Sequence, residues 1–215
     1  MTGRFITFEG GEGSGKSTQI KRLASALQQR GLDVVMTREP GGSPMGERIR
    51  GLLLDPTAKL DPVAQLFLFS AARRDHVTAL IAPALAQGQW VLCDRFADSS
   101  RAYQGAAGAL PDALINQCEA AAVGKTRPDL TIILDIAPEA GLERASRRRN
   151  RGTKADAFEA SDLAFHKRVR AGFLAIARDE PMRCAVLDAE RPELTIHADI
   201  LALCEARLKK DGPCV

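Results

Sequence analysis

The feature that most constrains this chain is a glycine-rich segment near its start, Gly10-Gly11-Glu12-Gly13-Ser14-Gly15-Lys16-Ser17, which fits the spacing G-x-x-x-x-G-K-[ST]. A short apolar run, residues 5–8, comes directly before it. Residues 16–30 follow with apolar side chains at helical spacing and end before Gly31. A strand, a glycine-rich loop and a helix in this order predict a phosphate-binding loop, because the loop N–H groups and the positive end of the helix face the same point.

Each residue type in this loop suits a chemical task. Glycines let the backbone wrap a phosphate chain, Lys16 can reach the terminal phosphates of a nucleoside triphosphate, and Ser17 can ligate Mg²⁺. A glycine-rich turn without a ligand is the alternative, and the flanking strand and helix argue against it. The predicted nucleotide-binding residues are Gly10, Gly11, Glu12, Gly13, Ser14, Gly15, Lys16, Ser17 and Thr18.

The rest of the chain alternates between strand-like and helical patterns. Stretches of helical periodicity separate four further apolar runs, at residues 34–36, 91–93, 130–135 and 185–187. This alternation predicts an α/β fold with a five-stranded parallel sheet and helices on both faces, formed by one domain, residues 1–215. The longest helical stretch, residues 62–87, should be bent or interrupted before Pro83, because an interior proline removes a hydrogen bond.

The composition argues against several classes of protein. The formal net charge is +3, from 30 basic and 27 acidic side chains, which is too small to suggest nucleic-acid or membrane binding by the whole chain. The five cysteines are far apart and form no C-x-x-C pair, so neither a zinc site nor a disulfide framework is predicted. No apolar stretch approaches the roughly 20 residues of a membrane helix, and no signal sequence precedes the first strand. We expect a cytoplasmic protein.

Two further features narrow the class of phosphate-binding protein. The chain contains no Asn-Lys-x-Asp motif, which would indicate guanine binding, and its third predicted strand ends in Asp94-Arg95. An aspartate at the carboxyl end of a strand beside the phosphate loop is placed to hold Mg²⁺ or its waters. Arg95 is suited to the phosphate of an acceptor nucleotide. The alternative is a structural Asp–Arg pair at the end of the strand.

Motifs along nearly the whole chain resemble those of bacterial thymidylate kinases, in the same order and at similar spacing. The resemblance implies a P-loop nucleoside monophosphate kinase fold with a short mobile lid. It also implies a homodimer that uses MgATP to phosphorylate dTMP to dTDP, by direct in-line transfer, for dTTP synthesis. The motifs are Phe8-Glu9-Gly10-Gly11-Glu12-Gly13-Ser14-Gly15-Lys16-Ser17-Thr18, Thr37-Arg38-Glu39-Pro40-Gly41-Gly42, Asp94-Arg95-Phe96 with Ser99-Ser100, Ala102-Tyr103-Gln104-Gly105, and Arg127-Pro128-Asp129-Leu130-Thr131.

The resemblance also implies roles for residues around the acceptor base. Phe69 matches the aromatic residue that stacks on thymine, and Arg73 matches the donor to the thymine carbonyl. Their spacing of four residues puts both on one helix face. Tyr103 matches the residue that disfavours a ribose 2′-hydroxyl. The alternatives are core packing for Phe69 and helix capping for the consecutive serines. The implied substrate-binding residues are Arg38, Pro40, Arg50, Phe69, Arg73, Arg95, Ser99, Ser100, Tyr103 and Gln104.

By the same resemblance, arginines neutralise the charge of the phosphates. Arg38, Arg50 and Arg95 match or neighbour the positions that bind the acceptor phosphate, although a solvent-exposed Arg50 is nearly as compatible with the sequence alone. The expected metal-binding residues are Ser17 and Asp94. The expected catalytic residues are Lys16, Arg95, Arg148, Asp94 and Glu9.

Residues 147–156 are polar, positively charged and without apolar periodicity, which predicts an exposed connection between two helices. This arginine-rich segment falls where the family carries its lid, at about residues 145–157. Because the variable positions of the phosphate loop contain no basic residue, the resemblance implies that the lid supplies the arginine that stabilises the transferring phosphoryl group. Arg148 aligns best with it, while Arg147, Arg149 and Arg151 are close enough to take its place. A departure from the family follows, since this chain has Asp156-Ala157-Phe158-Glu159 where relatives often have arginine after the aspartate.

Two other functions stay open at this point. The first is a kinase for another small acceptor, such as a different nucleoside monophosphate or a free deoxynucleoside, and a panel of acceptors would separate the two. The second is a nucleotide-binding switch that hydrolyses ATP slowly and binds nucleic acid through its basic segment. That switch predicts an affinity for DNA that falls steeply with salt.

Overall fold

A parallel sheet organises the protein. The computed structural model describes residues 3–55, 57–149, 158 and 161–208, with residues 148 and 149 described by their backbone alone. The sheet has five strands in the order β2-β3-β1-β4-β5, and all neighbouring strands are parallel. The predicted strands and sheet are confirmed. The strands are β1 Phe5–Glu9, β2 Val34–Arg38, β3 Trp90–Asp94, β4 Leu130–Asp135 and β5 Cys184–Asp188.

Helices cover both faces of this sheet, as the sequence predicts. Ile6 packs on one face in a cluster with residues of the first and last helices, whereas its neighbour Phe5 packs in a cluster on the other face. The helices are α1 Lys16–Gln29, α2 Pro44–Leu54, α3 Pro62–His76, α4 Ala82–Ala86, α5 Ala97–Ser100, α6 Asp112–Val123, α7 Pro138–Arg149, α8 Leu163–Asp179 and α9 Glu193–Leu208. Val77–Ile81 and Arg101–Ala107 are π-helical. Within the described ranges, no helix is long and apolar enough to cross a membrane.

The predicted interruption before Pro83 takes the form of a π-helical segment. Helix α3 continues into Val77–Ile81, where the N–H of Ala82 bonds to the carbonyl of Val77, and α4 follows. Proline has no N–H to donate and its ring crowds the preceding turn, so a wider turn at this point accommodates it.

The structure differs from the sequence-based expectation at the start of the arginine-rich segment. We expect residues 147–156 to form an exposed connection, but α7 continues through Arg149. Arginine has a high helix propensity, so a run of arginines does not end a helix. The remainder of the expected lid, residues 150–157, lies outside the described residues.

The strand register gathers the site residues at one edge of the sheet. Asp94, the last residue of β3, pairs with Phe8 of β1 on one side and with Arg38 of β2 on the other. The phosphate loop begins directly after Glu9, at the end of β1. Ligands of open α/β sheets bind at the carboxyl ends of the strands, and three of the motif-bearing segments therefore meet there.

Candidate active site

A cavity of about 360 Å³ opens at the carboxyl ends of β1, β2 and β3. Its size suits a small-molecule ligand. All of the residues implied for acceptor binding line it, together with most of the phosphate loop. The lining residues are Glu12, Gly13, Ser14, Gly15, Lys16, Ser17, Thr18, Arg38, Glu39, Pro40, Arg50, Leu54, Phe69, Arg73, Asp94, Arg95, Phe96, Ser99, Ser100, Tyr103, Gln104 and Phe158.

The lysine of the phosphate loop folds back onto the loop. Lys16 Nζ donates to the carbonyl oxygens of Gly10 at 3.1 Å and Gly11 at 2.9 Å, and it lies 3.3 Å from Ser14 Oγ. Burial, together with the nearby charge of Arg95, lowers the pKa of Lys16. The ammonium group is thus held inside the loop, where it can meet the phosphates of a bound nucleotide.

Close backbone approach explains two of the loop glycines. A Cβ atom on Gly10, whose φ is +133°, would lie 2.4 Å from the carbonyl oxygen of Leu134. A Cβ atom on Gly13 would lie 2.1 Å from the carbonyl oxygen of Gly141, in α7. Any other residue at these positions would push the loop away from β4 and α7. The loop therefore holds its shape because it is packed against the fold on both sides.

The predicted metal-binding pair is in contact. Ser17 Oγ donates to Asp94 Oδ2 at 2.8 Å, and this bond joins the start of α1 to the end of β3. Mg²⁺ prefers oxygen ligands, and in nucleotide sites it is commonly bound by one or two protein oxygens together with phosphates and waters. The donor set fits a Mg²⁺ ion that is shared with a nucleotide.

Arg95 lines the cavity and has a backbone conformation that is rare for a non-glycine residue, with φ +67°. Its Nη1 donates to the carbonyl oxygen of Gly10 at 3.0 Å, and its Nη2 donates to Glu12 Oε1 at 2.6 Å. The guanidinium carbon also lies 5.0 Å from the ring centre of Tyr103. Burial favours a lower pKa, but Tyr103 and the surrounding carboxylates raise the pKa of Arg95 above its usual value. The side chain is a fixed positive charge beside the phosphate loop.

Glu12, in the phosphate loop, contacts two of the residues that are implied to bind the acceptor. Its Oε1 accepts from Arg95 and, at 3.0 Å, from the hydroxyl of Tyr103. Burial acts to raise the pKa of Glu12, but Arg95 and Lys16 outweigh it and hold this pKa at about 2. Glu12 is therefore an ionised carboxylate that orients both Arg95 and Tyr103. The loop motif predicts no such role, because Glu12 occupies one of its variable positions.

Glu9 is expected from the sequence to be a carboxylate near the metal or the acceptor. It is fully buried and does not line the cavity. Its two carboxylate oxygens accept from the N–H of Phe96 at 2.7 Å and from Ser99 Oγ at 2.6 Å. Both donors belong to the segment after β3, so Glu9 acts on the site by holding the segment that follows Arg95.

Burial and the neighbouring Asp98 raise the pKa of Glu9 to about 7. Asp98 is itself held by a bidentate ion pair with Arg183, at 2.6 and 3.0 Å. The charge of Arg95 and two hydrogen bonds act in the opposite direction without cancelling the effect of burial. Glu9 therefore titrates close to neutral pH.

Aromatic rings form one end of the cavity. Phe69 and Phe158 pack with their ring centres 5.8 Å apart, and Phe158 meets Tyr103 edge-on at 5.7 Å. Gln104, which is buried, donates to Gln65 Oε1 at 3.2 Å. Flat rings and an amide beside them suit a planar, polar-edged ligand such as a nucleobase.

Arg73 lies one helical turn from Phe69 and is almost completely buried. Its Nε donates to Glu39 Oε2 at 2.7 Å, Nη1 donates to Ser100 Oγ at 3.0 Å, and Nη2 donates to the carbonyl oxygen of Phe96 at 3.1 Å. These bonds connect α3 with the turn after β2 and with the segment after β3. Arg73 is thus part of the framework of the cavity as well as part of its lining.

The remaining arginines implied for phosphate binding lie around the turn that follows β2. Arg38 Nη2 lies 3.0 Å from both carboxylate oxygens of Glu47, and Arg50 Nη1 donates to the carbonyl oxygen of Pro40 at 2.8 Å. Both side chains line the cavity. Ser43 caps α2 by accepting from the N–H of Gly46 at 3.1 Å, which fixes the helix that carries Arg50.

Comparison with known proteins is consistent throughout. The family described as Thymidylate kinase matches residues 8–200. A thymidylate kinase of Bradyrhizobium diazoefficiens is 52% identical over 96% of this chain and 90% of its own length. One from Nitrobacter winogradskyi is 55% identical over 87% of this chain and 82% of its own length. The chain belongs to the thymidylate kinase family.

A solved structure of a family member agrees with the fold. The thymidylate kinase of Ehrlichia chaffeensis superimposes with a TM-score of 0.76 at 35% sequence identity, covering 94% of this chain and 99% of that one. The P-loop kinase fold predicted from the sequence is confirmed. The parallel sheet and the phosphate loop described above are therefore those of a thymidylate kinase.

Four residues that line the cavity of this thymidylate kinase family member are not among those predicted from the sequence. They are Glu39, Leu54, Phe96 and Phe158. Glu39 and Phe96 lie inside motifs that resemble those of thymidylate kinases. Their positions next to Arg38 and Arg95 in the sequence could therefore have indicated that they line the cavity. The side chains of Arg148 and Arg149 and all of Arg151 lie outside the described residues, whereas Arg147 is exposed and bonds to Glu143 at 2.6 Å.

Glu9→Gln should change how the stability of the nucleotide-free protein depends on pH. The unfolded carboxyl loses its proton near 4.5, but the folded one keeps it until about pH 7, so the free energy of unfolding of the native protein falls as the pH rises between these values. Glutamine does not titrate, and the variant should gain about 3 kcal/mol relative to the native protein across this window. Urea unfolding from pH 4.5 to 8 measures the difference.

The control for this experiment is Glu143→Gln, which removes an exposed carboxylate on α7. Its unfolding free energy should follow that of the native protein across the same pH range. A constant difference between Glu9→Gln and the native protein at every pH would contradict the raised pKa of Glu9.

Proposed function

We propose that this protein transfers the terminal phosphoryl group of ATP to dTMP, giving dTDP, by direct in-line transfer. The observation that supports this best is the continuity of the cavity. It runs from Lys16 in the phosphate loop, past Arg95, to Arg73 and the aromatic rings at the far end. A triphosphate at one end and a nucleoside monophosphate at the other would bring the donor and acceptor phosphates together beside Arg95.

Arg95 is the residue we propose to act on both substrates. It donates to Gly10 within the phosphate loop and is held by Glu12, so its charge cannot move away when a phosphate binds. Phosphoryl transfer depends mainly on positioning and on neutralising charge. Lys16 would stabilise the donor phosphates, and Arg38 and Arg50 would neutralise the acceptor dianion. We propose Ser17 and Asp94 as the protein ligands of Mg²⁺, which bridges and neutralises phosphate oxygens when it is bound.

Recognition of the acceptor nucleoside is proposed for the other end of the cavity. Phe69 would stack on the base and Arg73 would donate to its carbonyl oxygen, while Ser99, Ser100 and Gln104 would complete the polar edge. Tyr103 would lie against the sugar, with its hydroxyl bonded to Glu12. A fixed aromatic ring at this place leaves little room for a ribose 2′-hydroxyl. Deoxynucleotides should therefore be preferred.

An acceptor panel tests the function. ADP release from MgATP should be fast with dTMP, slower with dUMP, and close to background with thymidine, AMP, CMP, GMP and the ribose form of TMP. The loss of one methyl group is worth only about 1 to 3 kcal/mol, so dUMP should retain some activity. Lys16→Met should abolish the dTMP-dependent rate without unfolding the protein. Equal rates with and without any acceptor would refute the kinase assignment and favour a nucleotide-binding switch.

We propose that a lid arginine assists transfer from the other side of the donor phosphate. Arg148→Ala should lower kcat by about 10³-fold or more while the KM for dTMP changes little, since such arginines contribute about 10³ to 10⁵ in rate. Arg178→Ala is the matched control, because Arg178 is exposed, paired with Asp179 on α8, and outside the lid. An unchanged kcat in Arg148→Ala would move the role to Arg147, Arg149 or Arg151.

We also propose that the chain is a single domain that acts as a cytoplasmic homodimer. Support for a dimer comes from exposed apolar side chains on two adjacent helices, Met45 and Leu52 on α2 and Phe67 on α3, each about half exposed at 48%, 56% and 52%. Light scattering after size exclusion should give twice the chain mass of 23.1 kDa. A mass of one chain at micromolar concentration would exclude a stable dimer.

A further inference from the structure

We propose that His76 is a positioning residue for base selection: it holds Glu39, and through Glu39 it fixes the orientation of Arg73 toward the acceptor base. This inference rests on the proposed function, because it concerns how the acceptor end of the cavity is assembled. His76 lies at the end of α3 and does not line the cavity. Its effect on a ligand is therefore transmitted through the two residues that do.

The first step is the way in which Arg73 is held. One N–H from each of its three guanidinium nitrogens is used, on Glu39, Ser100 and the carbonyl of Phe96. Within the part of the chain that the structure describes, the second N–H on Nη1 and on Nη2 remains for a ligand. Their direction is set by the plane of the guanidinium. That plane is set in turn by the ion pair with Glu39, in which both side chains are almost fully buried, with 2% and 4% exposed.

The second step is the way in which Glu39 is held. Its Oε2 accepts from Arg73, and its Oε1 lies 3.1 Å from Nδ1 of His76. His76 is completely buried, and its Nε2 lies 2.7 Å from Oγ1 of Thr37. A neutral imidazole with its proton on Nδ1 satisfies both contacts, since Nδ1 then donates to Glu39 and Nε2 accepts from Thr37. The imidazole thus fixes the carboxylate oxygen that Arg73 leaves unused.

The third step connects these contacts to the turn that follows β2, beside the proposed phosphate-binding residue Arg38. Thr37 is in β2, directly before Arg38, and the backbone of Gly42 closes the turn against the imidazole. A Cβ atom on Gly42, whose φ is +79°, would lie 2.4 Å from Nε2 of His76 and 2.5 Å from Oγ1 of Thr37. His76 therefore fills the space between β2, the turn that carries Glu39 and the helix that carries Arg73. It thus connects Arg73, the residue proposed to bind the base, with the turn that follows Arg38.

Simple core packing does not account for this arrangement. An apolar side chain could fill the volume of His76, but it would leave Oε1 of a buried carboxylate without a donor, which is costly. Glu39 and Arg73 could then rotate to other partners, and the N–H groups aimed at the ligand would rotate with them. The consequence would be a loss of base discrimination rather than a loss of phosphate chemistry.

The difference between thymine and cytosine shows which base preference would be lost. Thymine presents a carbonyl oxygen at C4, which accepts a hydrogen bond, whereas cytosine presents an amino group that donates there. Arginine can only donate. A well-oriented Arg73 therefore accepts thymine and rejects cytosine, and a disoriented one loses this preference.

Two variants of His76 separate its two contacts. The amide of Asn reaches about as far along the side chain as Nδ1, so His76→Asn keeps a donor for Glu39. The amide of Gln reaches about as far as Nε2, so His76→Gln keeps the contact with Thr37 and loses the donor to Glu39. With dTMP and dCMP in competition, His76→Gln should lose about tenfold to a hundredfold of the preference for dTMP, the range expected for a hydrogen bond to a charged group.

His76→Asn should keep most of that preference, and the KM for ATP should be unchanged in both variants. His197→Asn, on α9 and outside the cavity, is the control and should behave as the native protein. Equal losses in His76→Asn and His76→Gln, or no loss in either, would overturn the proposal. Should His76→Gln fail to fold, Glu39→Gln replaces it, because this change weakens the ion pair with Arg73 and spares His76.

A second readout does not depend on activity. In the nucleotide-free protein, the ¹H–¹⁵N signal of Arg73 Nε, assigned by its absence in Arg73→Lys, reports the bond to Glu39. This signal should shift or broaden in His76→Gln and stay in place in His76→Asn. A native protein without dTMP-dependent turnover would refute the proposed function alone, whereas an Nε signal that is the same in His76→Gln as in the native protein would refute the role of His76 alone.

Discussion

The carbonyl oxygen of Gly10 is the point on which the site depends. Lys16 and Arg95 both donate to it, at 3.1 and 3.0 Å, so the first residue of the phosphate loop brings together cations from α1 and from the end of β3. Carboxylates lie close to both cations, since Glu12 accepts from Arg95 and Asp94 accepts from Ser17, the neighbour of Lys16. Their negative charge offsets the repulsion between the two cations that share this carbonyl. The loop is consequently preorganised for phosphate before any ligand arrives.

The same pairing of buried charges recurs away from the loop. Arg73 is paired with Glu39, and Arg183 is paired with Asp98, each joining elements that are distant in the chain. Buried ion pairs often contribute little net stability, because desolvation of both charges offsets their attraction, but removing one partner leaves an uncompensated charge. In this fold the pair of Glu39 and Arg73 holds a guanidinium that lines the cavity. They also influence titration, since Asp98 helps to raise the pKa of Glu9.

Local patterns were sufficient for the sheet, the phosphate loop and the interruption before Pro83, because each depends on residues adjacent in the chain. Contacts between distant segments could not be predicted in this way. Glu39 meets Arg73 and His76, which follow it by 34 and 37 residues, and nothing in their spacing reveals the contact. The sequence predicts a position for Glu9 near the metal or the acceptor, and it gives no sign that the carboxylate accepts from Ser99, 90 residues later.

The sequence by itself determined the succession of strands and helices along the chain, the phosphate loop and, through its resemblance to thymidylate kinases, most of the residues that line the cavity. Periodicity, glycine spacing and proline chemistry act over a few residues, so they can be recognised without a structure. Only the tertiary structure decided which charges are paired, that the carboxylate of Glu9 is buried, and that His76 contacts Glu39, the partner of Arg73. Those properties depend on burial and on angstrom-scale distances between elements, which packing creates and no single segment contains.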